Sequence, residues 1–130
     1  MSQTATATGV SPITWFEIPT ADFDRAHRFY ETILETTLEA RQFGPGRIVI
    51  FPHVEPGPTG CLDESSNSHP SDGGTVVYFK VEDGRLDRVL ALAVSAGGSV
   101  VEPKTELQGI GWVAQVLDSE GNRVGLHAIS

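Results

Sequence analysis

Two amphipathic helix patterns, each led in by a strand-like run and each followed by about three more, constrain this chain more than any other feature. In the first, Phe23, Ala26, His27, Tyr30, Ile33 and Leu34 recur at helical spacing, with Asp24, Arg25, Arg28 and Glu31 turned away. Thr20 or Asp22 caps the start, Pro19 ends the strand before it, and the helix stops near Glu35. In the second, Leu86, Val89, Leu90, Ala93 and Val94 form the buried stripe, Asp83 is the cap, and Gly97-Gly98 terminates the helix. Strand candidates in the first half are Ile13–Ile18, residues 37–43, Arg47–Phe51 and a short edge strand at Gly60–Asp63. In the second half they are Thr75–Val81, Ser99–Glu102, Trp112–Leu117 and Arg123–Ala128. The polar stretch Glu64–Gly74 links the halves, which run over residues 12–63 and 75–129. Neither half alone buries its sheet well. The expectation is a single α+β domain over residues 1–130, with helices on the outer sheet face and a ligand-sized cleft on the inner one.

The bulk numbers agree with one ordinary globular domain. The 130 residues are 39% apolar and 20% charged, which suits a packed core and argues against disorder. The net charge of −8, with no cluster of Lys and Arg, argues against nucleic acid as a partner. No apolar run approaches the roughly 20 residues of a membrane span. Cys61 stands alone, so no internal disulfide is expected, and nothing beside it in the sequence lowers its pKa. The opening stretch MSQTATATGVSP has neither a basic nor an apolar segment; it reads as a loose tail, not as a signal peptide, and points to a cytoplasmic protein.

Four stretches carry a family likeness: Phe16–Tyr30 (FEIPTADFDRAHRFY), Val76–Asp83 (VVYFKVED), Ala96–Trp112 (AGGSVVEPKTELQGIGW) and Leu117–His127 (LDSEGNRVGLH). Together they resemble the vicinal oxygen chelate superfamily, the glyoxalase/bleomycin-resistance/dioxygenase fold. FEIP and GNRVGLH look most like its small members loosely related to lactoylglutathione lyase. The resemblance implies paired βαβββ modules forming a curved, cup-like mixed sheet with helices outside, and a homodimer. In metal-binding members it also implies a His or Gln in the first strand, a His at the head of the strand opening the second half, and a Glu two residues before the site of His127. Those positions hold Trp15, Val76 (or Thr75, one register away) and Gly125 here, and RIVIF in the first half has no donor either. A divalent ion needs convergent lone pairs, which Trp, Val and Gly side chains lack, so no standard metal centre and no metal cofactor are expected.

The polar and aromatic residues that remain define the candidate site. Strand alternation puts Trp15 and Glu17 on one face of the first strand, Tyr78 and Lys80 on one face of the strand after the linker, and Arg123, Gly125 and His127 on one face of the last. The superfamily register makes these the inner faces, so Glu17, Tyr78 and His127 are expected to line one cup. Trp15 and Trp112 are candidates to stack on a flat or apolar ligand, or to close a dimer seam. Glu17 and His127 are candidates to orient a polar group, or to pair as acid and base. His53 and His69 read as surface or loop residues and His27 as a packing residue. A metal group of His53, His69, His127 and Glu17 has no local ligand spacing behind it. Gly109 and Gly111 lack the context of a phosphate loop. Glu120-Gly121-Asn122 reads as a turn with no catalytic role. The function expected is metal-independent binding of a small molecule. The alternative is a lyase or dioxygenase-like enzyme with non-standard metal ligands or with Glu17/His127 acid–base catalysis. A purely structural or regulatory partner is the third reading.

Overall fold

A computed structural model describes residues 11–55 and 57–130. The tail reading of the opening stretch falls almost wholly outside the described residues. The chain runs β1 (Trp15–Pro19), α1 (Phe23–Leu34), β2 (Ala40–Phe43), β3 (Gly46–Ile50) and β4 (Thr59–Asp63). It then repeats the order as β5 (Val77–Lys80), α2 (Leu86–Ser95), β6 (Ser99–Leu107), β7 (Gly111–Leu117) and β8 (Arg123–Ala128). The two βαβββ modules form curved sheets with the helices outside.

Helix α1 begins at Asp22, one of the two expected caps, because its side chain accepts the orphan N–H of Arg25 at 3.0 Å. It ends at Glu35, which takes a left-handed conformation with φ 52°. The carboxylate of Glu35 is gripped by Arg88 and Arg85 of the second module, which ties the two helices together. Hydrogen bonds from Arg88 and then Arg85 hold its pKa down to about 2. Helix α2 ends as expected, with Gly97 left-handed at φ 103° just past the Ala96 cap, but departs from expectation at its start. It begins at Leu86 after Arg85, and its cap makes no side-chain hydrogen bond; Asp83 is separated from it by Gly84, whose φ is 78°. Val94, expected in the buried stripe, is exposed, while Leu86, Val89 and Ala93 face the core.

Each module builds a four-stranded sheet, ordered β1-β4-β3-β2 and β5-β8-β7-β6. The last strand of each module therefore lies between the first strand, with which it runs parallel, and the third. This corrects the reading of residues 60–63 as an edge strand: β4 is interior, and Gly60, Cys61 and Leu62 are buried. The run was too short and too poor in β-branched residues to announce a central strand. Strand β6 continues well past Glu102, to Leu107; it tolerates Pro103 because it is an edge, and it carries two register shifts against β7.

One core joins the modules. Phe16, Tyr30, Phe51 and Phe79 pack edge-to-face or stacked, with centroids 5.1 to 6.1 Å apart. Phe16 lies on β1 and Phe79 on β5, so the first strands of the two modules meet there. Phe29, which the stripe from sequence omitted, is also fully buried.

The turn from β7 to β8 acts as the latch. Asp118, 3% exposed, accepts hydrogen bonds from the Tyr30 hydroxyl at 2.6 Å and from the backbone N–H groups of Glu120 and Asn122 at 2.8 and 2.9 Å. Glu120 accepts from the backbone N–H groups of Ala21 and Asp22 and from Arg25, so it holds the start of α1 from the other module. Asn122 donates to the carbonyl of Pro19 at 2.9 Å and accepts from the N–H of Ser71 at 3.1 Å. Read from sequence as a turn, these residues fix the end of β1, the linker and β8 relative to one another. No described helix is long and apolar enough to cross a membrane.

Candidate functional site

The open faces of the two sheets hold the candidate residues. On β1, Phe16 and Ile18 enter the core, which leaves Trp15 and Glu17 outside; Trp15 is 45% exposed. On β5, Phe79 is buried and Tyr78 and Lys80 are exposed, Tyr78 also at 45%. On β8, Val124, Leu126 and Ala128 face the core and His127 lies on the other side. An aromatic ring left half bare by its own domain is a surface available for stacking.

Around Tyr78 the open face is preorganised. Its hydroxyl accepts a hydrogen bond from Gln115 Nε2 at 2.7 Å, and Gln115 Oε1 in turn accepts from Arg123 at 3.0 Å. Arg123 also donates to the carbonyl of Asp72 at 2.8 Å. The phenol proton is thereby left free to be donated outward. Tyr78 pairs with Gly125 across the parallel β5–β8 ladder, and its ring lies directly over that glycine. A Cβ at residue 125 would fall well inside contact distance of three ring carbons. His127 Nε2 lies 2.8 Å from the carbonyl oxygen of Ile110 and so carries its proton there.

Three hollows open along these faces. A groove of about 710 Å³ is walled by Trp15, Arg41, Ile50, His53 and Thr59. A cavity of about 370 Å³ borders Tyr78, Thr105, Val113 and Gln115. A smaller one, about 190 Å³, lies where the modules meet, between Glu17, His69, Thr75, Val77 and Arg123. Trp15, Tyr78 and Glu17 thus each border a different hollow. In the groove, the His53 ring faces the Glu55 carboxylate at 2.6 Å and the Phe51 carbonyl at 3.1 Å, and these partners, Glu55 first, raise its pKa.

Trp112 is placed elsewhere. With Ala114 and Val116 it points to the helix side of β7 and packs against the core, with the Lys104 ammonium 5.0 Å from its ring centroid. Alternation along β7 dictates this, since Val113 and Gln115 take the open face. Nor do Glu17 and His127 pair: His127 is bonded to Ile110, whereas Glu17 faces Cys61 and Asp63 of β4. Among the described residues, His53, His69 and His127 form no metal group with Glu17 or with one another.

Cys61 and Asp63 carried no functional signal in the sequence. They stand beside Glu17 because β1 and β4 pair in parallel with Glu17 opposite Cys61, a register set by the fold. Burial, then Asp63 and Glu17, push the Cys61 thiol up to about 12. Arg41 and Gln115 are two further open-face residues that only the pairing of strands reveals.

The Glyoxalase/Bleomycin resistance protein/Dioxygenase superfamily pattern matches residues 12–126. The chain belongs to this superfamily. A curated relative from Mycobacterium tuberculosis, named "Putative glyoxylase CFP32", is 29% identical over 110 residues; the match takes in 82% of this chain and 40% of that protein's length. TnmS3, an antibiotic binding protein from Streptomyces, is similar in structure with a TM-score of 0.68 at 24% identity, over 95% of this chain and all of that one. A variant of the fosfomycin resistance protein FosX from Listeria monocytogenes, complexed with manganese(II), has a TM-score of 0.64 at 18% identity, over 95% and 94% of the two chains. These likenesses establish the superfamily fold. The superfamily's metal centre does not fit the residues present. Trp15, Val76 and Gly125 offer no donor, and the Tyr78 ring fills the space that a ligating side chain at 125 would need.

Proposed function

We propose that this protein binds a small, flat, partly aromatic molecule in its cup without the superfamily's metal centre. The observation that carries the reading is that Trp15 and Tyr78 stand half bare on the open faces, with Tyr78 held over Gly125 where the acidic ligand of metal-binding members would stand. Trp15 offers a stacking surface in the larger groove, and Tyr78 a second one in its own cavity. Glu17 and His127 offer polar contacts at the margins, and Trp112 supports β7 from behind. Antibiotic binding by the similar TnmS3 supports a role of this kind. The carboxylates in excess suit a ligand with positive charge.

A thermal-shift screen of aromatic and cationic small molecules, run once in EDTA and once with added divalent metal, tests this. Ligands should raise the melting temperature equally in both, since a ligand at 100 times its Kd stabilises the native state by roughly 2.7 kcal/mol. Trp15→Ala should weaken such a ligand about tenfold, the loss of one stacked ring. Stabilisation seen only with metal, or indifference to Trp15→Ala, sinks the reading. The first outcome would favour a lyase or dioxygenase-like enzyme, which turnover assays would then identify.

We further propose a cytoplasmic homodimer. Phe43, Leu107 and Ile110 are exposed, and apolar surface of this kind is covered most simply by a second copy. Sedimentation should give twice the chain mass at micromolar concentration; a monomer at that concentration removes the dimer from this account.

A further inference from the structure

Several acidic side chains that brace this fold are matched by arginines: Glu120 by Arg25, Glu64 and Asp24 by Arg47, Glu35 by Arg85 and Arg88. Glu17 is not. Among the described residues its carboxylate makes no hydrogen bond or ion pair. It converges instead on two more potential anions, Cys61 Sγ and the Asp63 carboxylate, with one ligand atom from each of the three within 4.8 Å of the others. Cys61 is only 2% exposed, and its sulfur has no hydrogen-bond partner among the described residues. A buried polar atom with no protein partner, aimed at two carboxylates, is an arrangement that a cation completes.

We propose that Glu17, Cys61 and Asp63 hold one thiophilic divalent cation of the zinc or cobalt kind. The spacing is close to that of a site. Ligand atoms about 2.0–2.3 Å from one tetrahedral ion lie roughly 3.3–3.8 Å apart, so from within 4.8 Å of one another the three side chains close by about 1 Å. The donor set also fits, because a sulfur with two carboxylate oxygens selects a borderline-soft metal over calcium or magnesium, which take oxygen ligands. The position is built by two adjacent strands: Glu17 and Cys61 are direct partners across the β1–β4 ladder, and Asp63 lies two residues further along the same face. Residues 15, 76 and 125 take no part. Glu17 also borders the small junction cavity, so its carboxylate is reached from solvent. Binding replaces the thiol proton: the sulfur–hydrogen bond is lost as the sulfur–metal bond forms, and the proton goes to buffer, so affinity rises with pH. The site goes beyond the ligand-binding reading and does not rest on it, because Trp15 and Tyr78 can stack a ligand with or without an ion two residues away.

Titration of the full chain with cobalt(II) alone provides the test. One equivalent should bind, with a near-ultraviolet sulfur-to-cobalt charge-transfer band that zinc(II) abolishes by competition. Cys61→Ser should remove the band. Glu17→Gln and Asp63→Asn should each weaken cobalt binding at least tenfold, and the exposed Glu17 keeps the proposal falsifiable if Cys61→Ser does not fold. His53→Gln, His69→Gln and His127→Gln should leave the band unchanged. The proposal is overturned if wild-type protein shows no such band, if Glu17→Gln binds cobalt as tightly as wild type, or if binding follows the histidines. Ligand stabilisation that persists in EDTA would leave both readings standing, and failure of either titration or screen strikes only its own.

Discussion

Asp118→Ala should lower the stability of this protein by about 3 kcal/mol, and its melting temperature by roughly 10 °C, in chemical and thermal unfolding. Asp118 is buried and accepts from the Tyr30 hydroxyl, two backbone N–H groups and the Asn122 amide. Alanine leaves these donors inside the protein without an acceptor, and each stranded donor costs about 1–3 kcal/mol, partly offset by removing a buried charge. Asp118→Asn should cost less, about 1 kcal/mol, because its amide oxygen still serves the two backbone donors. The pH dependence separates the contributions. Burial, the largest influence, raises the Asp118 carboxyl above its ordinary 3.8, while the hydrogen bonds from Tyr30, Asn122 and Glu120 oppose it. A carboxyl with a raised folded-state pKa favours the folded state fully below the unfolded value, and that contribution is lost as pH rises through the folded value. The stability gap between wild type and Asp118→Asn should therefore shift in favour of Asn as pH climbs from below 3.8. A gap that is flat across that window would mean that Asp118 titrates alike in both states.

Gly125→Ala should destabilise by about 1–3 kcal/mol, against the usual sign for such a change. Replacing a strand glycine with alanine ordinarily stabilises by about 0.5–1 kcal/mol, because the unfolded chain loses freedom. At 125 the added methyl meets the Tyr78 ring. The same packing recurs in the first module, where the Phe16 ring covers Gly60, its partner across the β1–β4 ladder. Tyr78→Ala in the same chain should abolish the penalty, leaving a coupling energy of about 1–2 kcal/mol in a double-mutant cycle. Additive effects would show that the ring moves aside freely. Gly125→Glu alone should then not restore the superfamily's metal centre, since the space is taken and Trp15 and Val76 still offer no donors.

What the sequence revealed divides along the range of the interactions. The stripe from Phe23 to Leu34, the cap at Asp22 and the alternation that leaves Trp15, Glu17 and Tyr78 outside are local patterns, and they were legible. So was the absence of donors at 15, 76 and 125. The interior place of β4 was not, because it follows from pairing with β1 at the far end of the same module. Glu17, Cys61 and Asp63 come together through that same register and shared no motif. Strand β6 runs past the expected Glu102 to Leu107, through a proline and charges that an edge strand accepts. Trp112 was expected at the ligand but belongs to the core face of β7. The latch residues looked like an ordinary turn because their partners, Tyr30, Ala21 and Pro19, lie a whole module upstream.

The placement of β4 and β8 also sets the order in which the molecule can be made. In each sheet, the strand that bonds the first strand to the rest is the last to leave the ribosome. Until β8 emerges, β5 has no neighbour in its sheet, and the emerging chain carries a bare apolar edge. Contacts so distant along the chain fold on the order of milliseconds to seconds. Strand β8 thus completes the second sheet in time as well as in space, and a ribosome that stalls before Arg123 holds a chain whose second half is still open.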